Sequence, residues 1–329
     1  MRNLLIILCV AALVARHAFA ASDAASGVTT ATNAVAAPES NEAIEREFKQ
    51  LMEADDEAQA EVDKWIRDND EFAAKGAGTP GGELKQRILD RFQPVRKAYE
   101  DFLQQHPAHV EARIAYASFL GDIKDEESAR EQLEKALALD TNNPAIYNNL
   151  ANICGHIGPV MKSFEYYERA IRLNPLEPVY YHNLGTTVYL FRTDAEEFYH
   201  IDEAQVFNKA FVLYSNAMRL DPMNFPLASD VAQTYYGLTP LPTERALGAW
   251  TNALNIAHDE IEREGVFLHF ARVKILAGRF TEARAHLDSI TNAMYTALKQ
   301  RLERNLGERE RAARTNAVPE VEKAPAAKS

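Results

Sequence analysis

Apolar side chains return every three or four residues along most of this chain, and no run of β-branched residues alternates long enough to propose a sheet. From Asn41 to Phe72 the apolar positions are Ile44, Phe48, Leu51, Val62, Trp65, Ile66 and Phe72, a helical stripe with a weaker middle. The stretch AAKGAGTPGG at 73–82 reads as a flexible break. A second stripe follows, made of Leu84, Ile88, Phe92, Val95, Tyr99 and Phe102. Pro94 lies inside it and is expected to kink or split that helix, because it lacks an N–H and its ring crowds the preceding turn. The two stripes make an acidic opening hairpin over 39–105. Helix pairs are expected next at 110–139, 144–174, 178–221, 225–257 and 265–291, then a charged capping helix at 292–314. The pattern predicts an all-α chain.

The two ends depart from that pattern. Arg2, the apolar run Leu4 to Ala15 and then Ala18-Phe19-Ala20 have the layout of a secretory signal peptide, with cleavage expected after Ala20. A membrane span needs about 20 apolar residues, and this run is shorter. Residues 21–38 and 315–329 are small and polar, too poor in apolar surface to offset chain entropy, and are read as disordered. Without residues 1–20 the one cysteine is Cys154, which excludes an internal disulfide. The expected protein is soluble, without a stable membrane span, and periplasmic or secreted.

The pattern also repeats. IYNNLANICGHIG at 146–158 is followed, 34 residues on, by YYHNLGTTVYL at 180–190, so that Tyr147, Asn149, Leu150 and Ala151 return as Tyr181, Asn183, Leu184 and Gly185. At the same offset Leu133, Ala136, Leu137 and Leu139 map onto Tyr167, Ala170, Ile171 and Leu173, and Pro144 onto Pro178. The period and the order of residues resemble the tetratricopeptide repeat over roughly residues 83–291, with about five repeats in 106–291. The resemblance implies a right-handed α-solenoid of antiparallel helix pairs. Small residues at 117, 151 and 185 would let helix A of each pair be crossed closely by helix B, and Ala136, Ala170 and Ala217 would do the same from helix B. The step from Ala170 to Ala217 is 47, so the third pair carries a 13-residue insertion, in RTDAEEFYHIDEAQ at 192–205. Lys274 stands where the family usually has an aromatic, and Thr141 and His258 replace the closing proline.

In this family helix A lines a concave groove that binds peptide segments or partner helices. The resemblance therefore implies groove positions for Asn148, Asn149 and Asn152, for His182, Asn183 and Thr186, and for Ser229, Asp230 and Gln233. Asn149 and Asn183 would form a short ladder. An amide both donates and accepts, so such a ladder can pair with an extended backbone without reading its sequence. The bland alternative is that these amides solvate helix A or bond a neighbouring helix. Family members that clamp a free C-terminal carboxylate need Lys and Arg on this face. Glu111, Ile114, Ala115 and Val179 stand there instead, which disfavours that ligand.

Charge and the remaining motifs narrow the reading. The formal charge is −12, and −14 once Arg2 and Arg16 leave with the signal. Residues 39–72 hold thirteen Asp/Glu against four Lys/Arg, so nucleic acid is not an expected partner. In the insertion, Thr193 and Glu196 suit a capping box, while Glu196 or Glu197 with His200 share a face compatible with a metal. The competing reading is a longer helix B with Phe198, Ile201 and Phe207 inward. Cys154 fits a buried packing position. There is no Ser-His-Asp order, glycine-rich phosphate loop or paired-cysteine metal motif, and Gly76-Ala77-Gly78 lies in a linker with no strand before it. The expectation is a non-enzymatic scaffold or adaptor without cofactor, whose partner is another protein or peptide. The alternatives are an architectural subunit of an envelope or secretion complex and a metal-dependent hydrolase built on 192–205.

Overall fold

Helices with one apolar stripe must bury it against another element, and this chain does so pairwise. The computed structural model describes residues 41–74, 78–79 and 81–317. The signal and tether expected at 1–38, and most of the tail expected after 314, lie outside the described residues. Every long element is an α-helix. The chain divides into two compact units, one up to Leu176 and one from Glu177.

The first unit holds α1 (Asn41–Ala74), α2 (Gly81–Gln105), α3 (Val110–Asp122), α4 (Glu126–Leu139), α5 (Pro144–Ile157) and α6 (Val160–Leu173). They pack as the hairpins α1/α2, α3/α4 and α5/α6. Helix α2 runs unbroken through Pro94, against the expected split. The reason is placement: Pro94 and Asp90, whose carbonyl loses its partner, both face water, while Phe92 and Val95 pack inward. Asp55 of α1 is 3 % exposed and is held by the Tyr99 hydroxyl of α2 at 2.8 Å. A carboxylate so buried needs such a donor, and the bond fixes the register of the opening hairpin. Tyr99 stacks in turn on Tyr116 of α3, with ring centroids 5.0 Å apart. Phe119 of the same helix packs against Phe92 and Tyr99, giving one continuous core.

The second unit holds α7 (Pro178–Leu190), α8 (Arg192–Tyr199), α9 (Glu203–Leu220), α10 (Phe225–Thr234), α11 (Thr243–Asn255), α12 (Glu260–Leu276), α13 (Phe280–Asp288) and α14 (Thr296–Ala317). Here the pairs are α7/α9, α10/α11 and α12/α13, with α14 laid on α12 and α13. Helix α12 begins five residues before the expected start at 265, and α14 continues three residues past 314. Short 3₁₀ turns occupy Tyr235–Gly237 and Ala293–Tyr295. The buried Glu264 of α12 ties down the chain between α13 and α14, accepting from Thr291 N at 3.1 Å, Thr291 Oγ1 at 2.9 Å and Asn292 N at 2.8 Å. Those bonds, the Asn292 N–H first, hold its carboxyl below the usual range.

Small residues set the close helix crossings. Ala117, Ala136, Ala151, Ala170 and Ala217 are buried, and so is Gly185. Four of the hairpins have large buried partners beside them: Phe119 and Leu133, Leu150 and Phe164, Leu184 and Tyr214, and Trp250 in α11. Burying each such side chain is worth about 1.5–3 kcal/mol.

Candidate interaction surface

In the first unit the relevant helix is α5. Asn143 caps it, its Oδ1 accepting from Ala145 N at 3.1 Å, and Pro144 fits the first turn, where an N–H has no intrahelical use. Of the three asparagines expected on the open face, the structure places one elsewhere. Asn148 is 5 % exposed and donates through Nδ2 to Asn149 Oδ1 at 3.2 Å. Helix α5 packs against α4 on one side and α6 on the other, so its solvent arc is narrower than that of a simple amphipathic helix. Asn149 stays half-buried. Asn152, also half-buried, accepts from the Tyr167 hydroxyl of α6 at 2.5 Å, which is the inter-helix bond of the bland alternative. Cys154 is buried, and burial pushes its thiol pKa up, as suits an inert packing residue.

In the second unit α7 and α10 bring the other residues together. His182 Nε2 lies 2.8 Å from Asp230 Oδ2, and Gln233 Nε2 reaches Asp230 Oδ1 at 3.5 Å. Thr186 Oγ1 is 3.2 Å from the Tyr214 hydroxyl of α9. Burial pushes the Tyr214 pKa well above the usual phenol range. His182, Asn183, Thr186, Ser229, Asp230 and Gln233 are all half-buried. Ser229 Oγ itself is buried and has no hydrogen-bond partner among the described residues. The ladder expected of Asn149 and Asn183 joins residues of different units and is defined within neither.

The insertion departs from both expectations for it. It forms the separate helix α8, not an extension of helix B, and ends at His200 in the left-handed region with φ 55°. His200 thus leaves the helical face of Glu196 and Glu197. Phe191 holds the N-cap position of α8, so Thr193 and Glu196 form no capping box. The box lies one element later, where Asp202 Oδ1 accepts from Gln205 N and Gln205 Oε1 accepts from Asp202 N. Phe207 is buried, whereas Phe198 and Ile201 are half-buried. Among the described residues no group of three or more His, Cys, Asp or Glu is arranged to hold a metal ion.

A cluster in the second unit escapes sequence reasoning. The Arg192 guanidinium carbon lies 5.2 Å from the centre of the Tyr189 ring and 5.6 Å from that of Phe207. Arg272 on α12 lies 4.2 Å over the Tyr236 ring. Tyr236 in turn places its hydroxyl 3.2 Å from His269 Nδ1, and the His269 ring lies flat on Trp250, centroids 3.9 Å apart at 11°.

Burial, with Arg272 as the second cause, pushes the His269 pKa down to about 3. An unfolded chain would bind that proton near the ordinary histidine value of about 6.5. The neutral ring therefore stabilises the fold fully above about pH 6.5 and loses that contribution as pH falls toward about 3. The slope from this one group is up to about 1.4 kcal/mol per pH unit. His269→Gln is expected to flatten it, read as urea midpoints at about pH 7.5 and about pH 5. An unchanged acid slope in that variant would take the assignment away from His269.

The comparisons with known proteins fit this geometry. A family model for the tetratricopeptide repeat matches residues 110–143, the α3/α4 hairpin with the approach to α5. No curated protein matches the chain in sequence. Among solved structures, PilW, described as a widely conserved type IV pilus biogenesis factor, shares 15 % identity over 67 % of this chain and 95 % of its own, with a TM-score of 0.53. PilF of Pseudomonas aeruginosa shares 15 % over 76 % of this chain and 98 % of its own, with a TM-score of 0.49. MamA shares 23 % over 54 % and 95 %, with a TM-score of 0.41. The PilW likeness establishes a common fold and nothing finer. The fold is an all-α solenoid of antiparallel helix pairs with tetratricopeptide architecture.

Proposed function

We propose that this tetratricopeptide-repeat chain is an exported scaffold or adaptor that binds peptide segments or partner helices along the open faces of its A helices. An α-solenoid suits a protein–protein interaction role, since hairpins that bury one face leave a row of helix faces to offer. The observation that carries the finer reading is the polar lining of three such faces. Asn149 and Asn152 line α5, and His182, Asn183, Thr186, Asp230 and Gln233 line α7 and α10, all half-buried amid buried apolar neighbours. Amide, imidazole and carboxylate groups in that setting can pair with the N–H and C=O groups of an extended segment. No helix among the described residues is long and apolar enough to cross a membrane.

The double substitution Asn149→Ala, Asn183→Ala tests the groove. Partner recovery in a pull-down from an envelope extract is expected to fall about tenfold or more, with the far-ultraviolet dichroism unchanged. Undiminished recovery would remove the groove reading. Export rests on Arg2, the run from Leu4 to Ala15 and Ala18-Phe19-Ala20. N-terminal sequencing of the mature protein is expected to begin at Ala21, and a mature chain that keeps residues 1–20 would exclude cleavage.

A further inference from the structure

Many cations of this acidic chain sit beside a carboxylate three or four residues away, as Lys97 does with Asp101 at 2.9 Å and Arg279 with Glu282 at 2.6 Å. Arg272 does not. It is exposed, and among the described residues no carboxylate oxygen lies within 4.0 Å of its guanidinium. Its planar fork lies over the Tyr236 ring at 4.2 Å, which orients the group and leaves its N–H edge to solvent.

A second guanidinium, that of Arg192, lies over the neighbouring rings of Tyr189 and Phe207. It is fixed there by donating through Nη1 to the Tyr189 carbonyl at 2.8 Å. Its contact with a carboxylate, Glu203 at 3.8 Å, is long and solvent-exposed, and such pairs contribute little. Gly237 lets these parts meet: a Cβ there would stand 2.9 Å from Tyr189 Cε2 and 3.0 Å from Phe207. Burial pushes the Tyr189 pKa up, and the charges of Arg192 and Arg272 both oppose that rise.

We propose that Tyr189, Arg192, Tyr236 and Arg272 form a receiving strip for an acidic peptide segment, with Arg272 as its main carboxylate contact. This rests on the peptide-binding reading above and names the chemistry of the peptide. Two oriented forks along one strip suit two side-chain carboxylates of an extended segment better than a single terminal one. A polyanion such as nucleic acid needs more clustered positive charge than two arginines supply. The net charge of −12 does not oppose a short acidic segment, because charges beyond about 8–10 Å are screened at physiological salt.

The probe is an end-blocked, fluorescently labelled heptapeptide, Ala-Glu-Glu-Ala-Glu-Glu-Ala, with the full chain as receptor and anisotropy as the readout. Two further probes replace every Glu by Gln, one end-blocked and one with a free C-terminal carboxylate. The Glu peptide is expected to bind, more weakly as salt rises, and the blocked Gln peptide at least about tenfold less well. Arg272→Gln is expected to weaken the Glu peptide about tenfold or more, and Arg272→Lys, which keeps the charge without the fork, by less. Arg245→Gln is the control, since that guanidinium stacks on Tyr235 and Phe211 instead and should leave binding unchanged.

No binding of the Glu peptide, equal binding of the blocked Gln peptide, or full affinity in a folded Arg272→Gln protein overturns the proposal. So does an equal loss in Arg245→Gln, which would mean unspecific attraction. Preference for the free-ended Gln peptide would assign the site to a terminal carboxylate and reject the side-chain source. Failure here with partner recovery still lost in Asn149→Ala, Asn183→Ala rejects the acidic chemistry and spares the groove.

Discussion

Alanine at position 250 is expected to destabilise the second unit by about 3–5 kcal/mol, the range for emptying a buried site of a large aromatic. Trp250 is 1 % exposed, and its neighbours cannot close the gap: Ala246 and Ala253 on its own helix have no atoms to spare. The His269 ring stacked on it would lose its flat partner at the same time. Trp250→Phe should cost clearly less than Trp250→Ala, because a ring still fills most of the site and faces His269. Urea unfolding followed by circular dichroism measures both. A loss below about 1 kcal/mol for the alanine variant would show that the site collapses around the void.

A β-branched residue at Gly185 is the second large effect. A Cβ there would stand 3.0 Å from Tyr214 Cδ1 and Cε1 and 3.4 Å from Leu213 Cβ. The tyrosine ring is 1 % exposed and its hydroxyl lies against Thr186, so it has little room to retreat. Overpacking of this kind costs about 1–3 kcal/mol, occasionally more. Replacing a helical glycine by alanine returns about 1 kcal/mol of propensity, so Gly185→Ala should be mild. Gly185→Val gains less from propensity and adds two methyls to the contact, so it should lose about 3 kcal/mol. Equal thermal midpoints for the two variants would mean that α7 can move off α9.

The contrast shows what a sequence of this kind reveals. Small residues at 117, 136, 151, 170, 185 and 217 recur because each helix crossing needs one, so a repeated residue type announces a repeated contact. Tyr147 packs inside its own hairpin, against Tyr166 of α6, with centroids 6.1 Å apart. Asn148 misleads because the resemblance offers consecutive residues of helix A to the groove, whereas α5 packs against both α4 and α6 and buries one of them. The insertion was countable as 13 residues but its path was not, since one left-handed residue, His200, decides where α8 stops. The Tyr189, Arg192, Tyr236 and Arg272 cluster is assembled from α7, α8, a 3₁₀ turn and α12. No local spacing connects those positions, and Gly237, the residue that permits their approach, reads in isolation as a turn.

The capping box at Asp202 and Gln205 has an evolutionary consequence. Helix α9 supplies its own start, so its pairing with α7 does not depend on how the chain arrives there. The stretch between Leu190 and Asp202 can lengthen, shorten or be exchanged between lineages while the repeat behind it keeps its phase. Homologues should accordingly vary most in length at this one seam, and it is the natural port for grafting a foreign epitope or reporter into the chain.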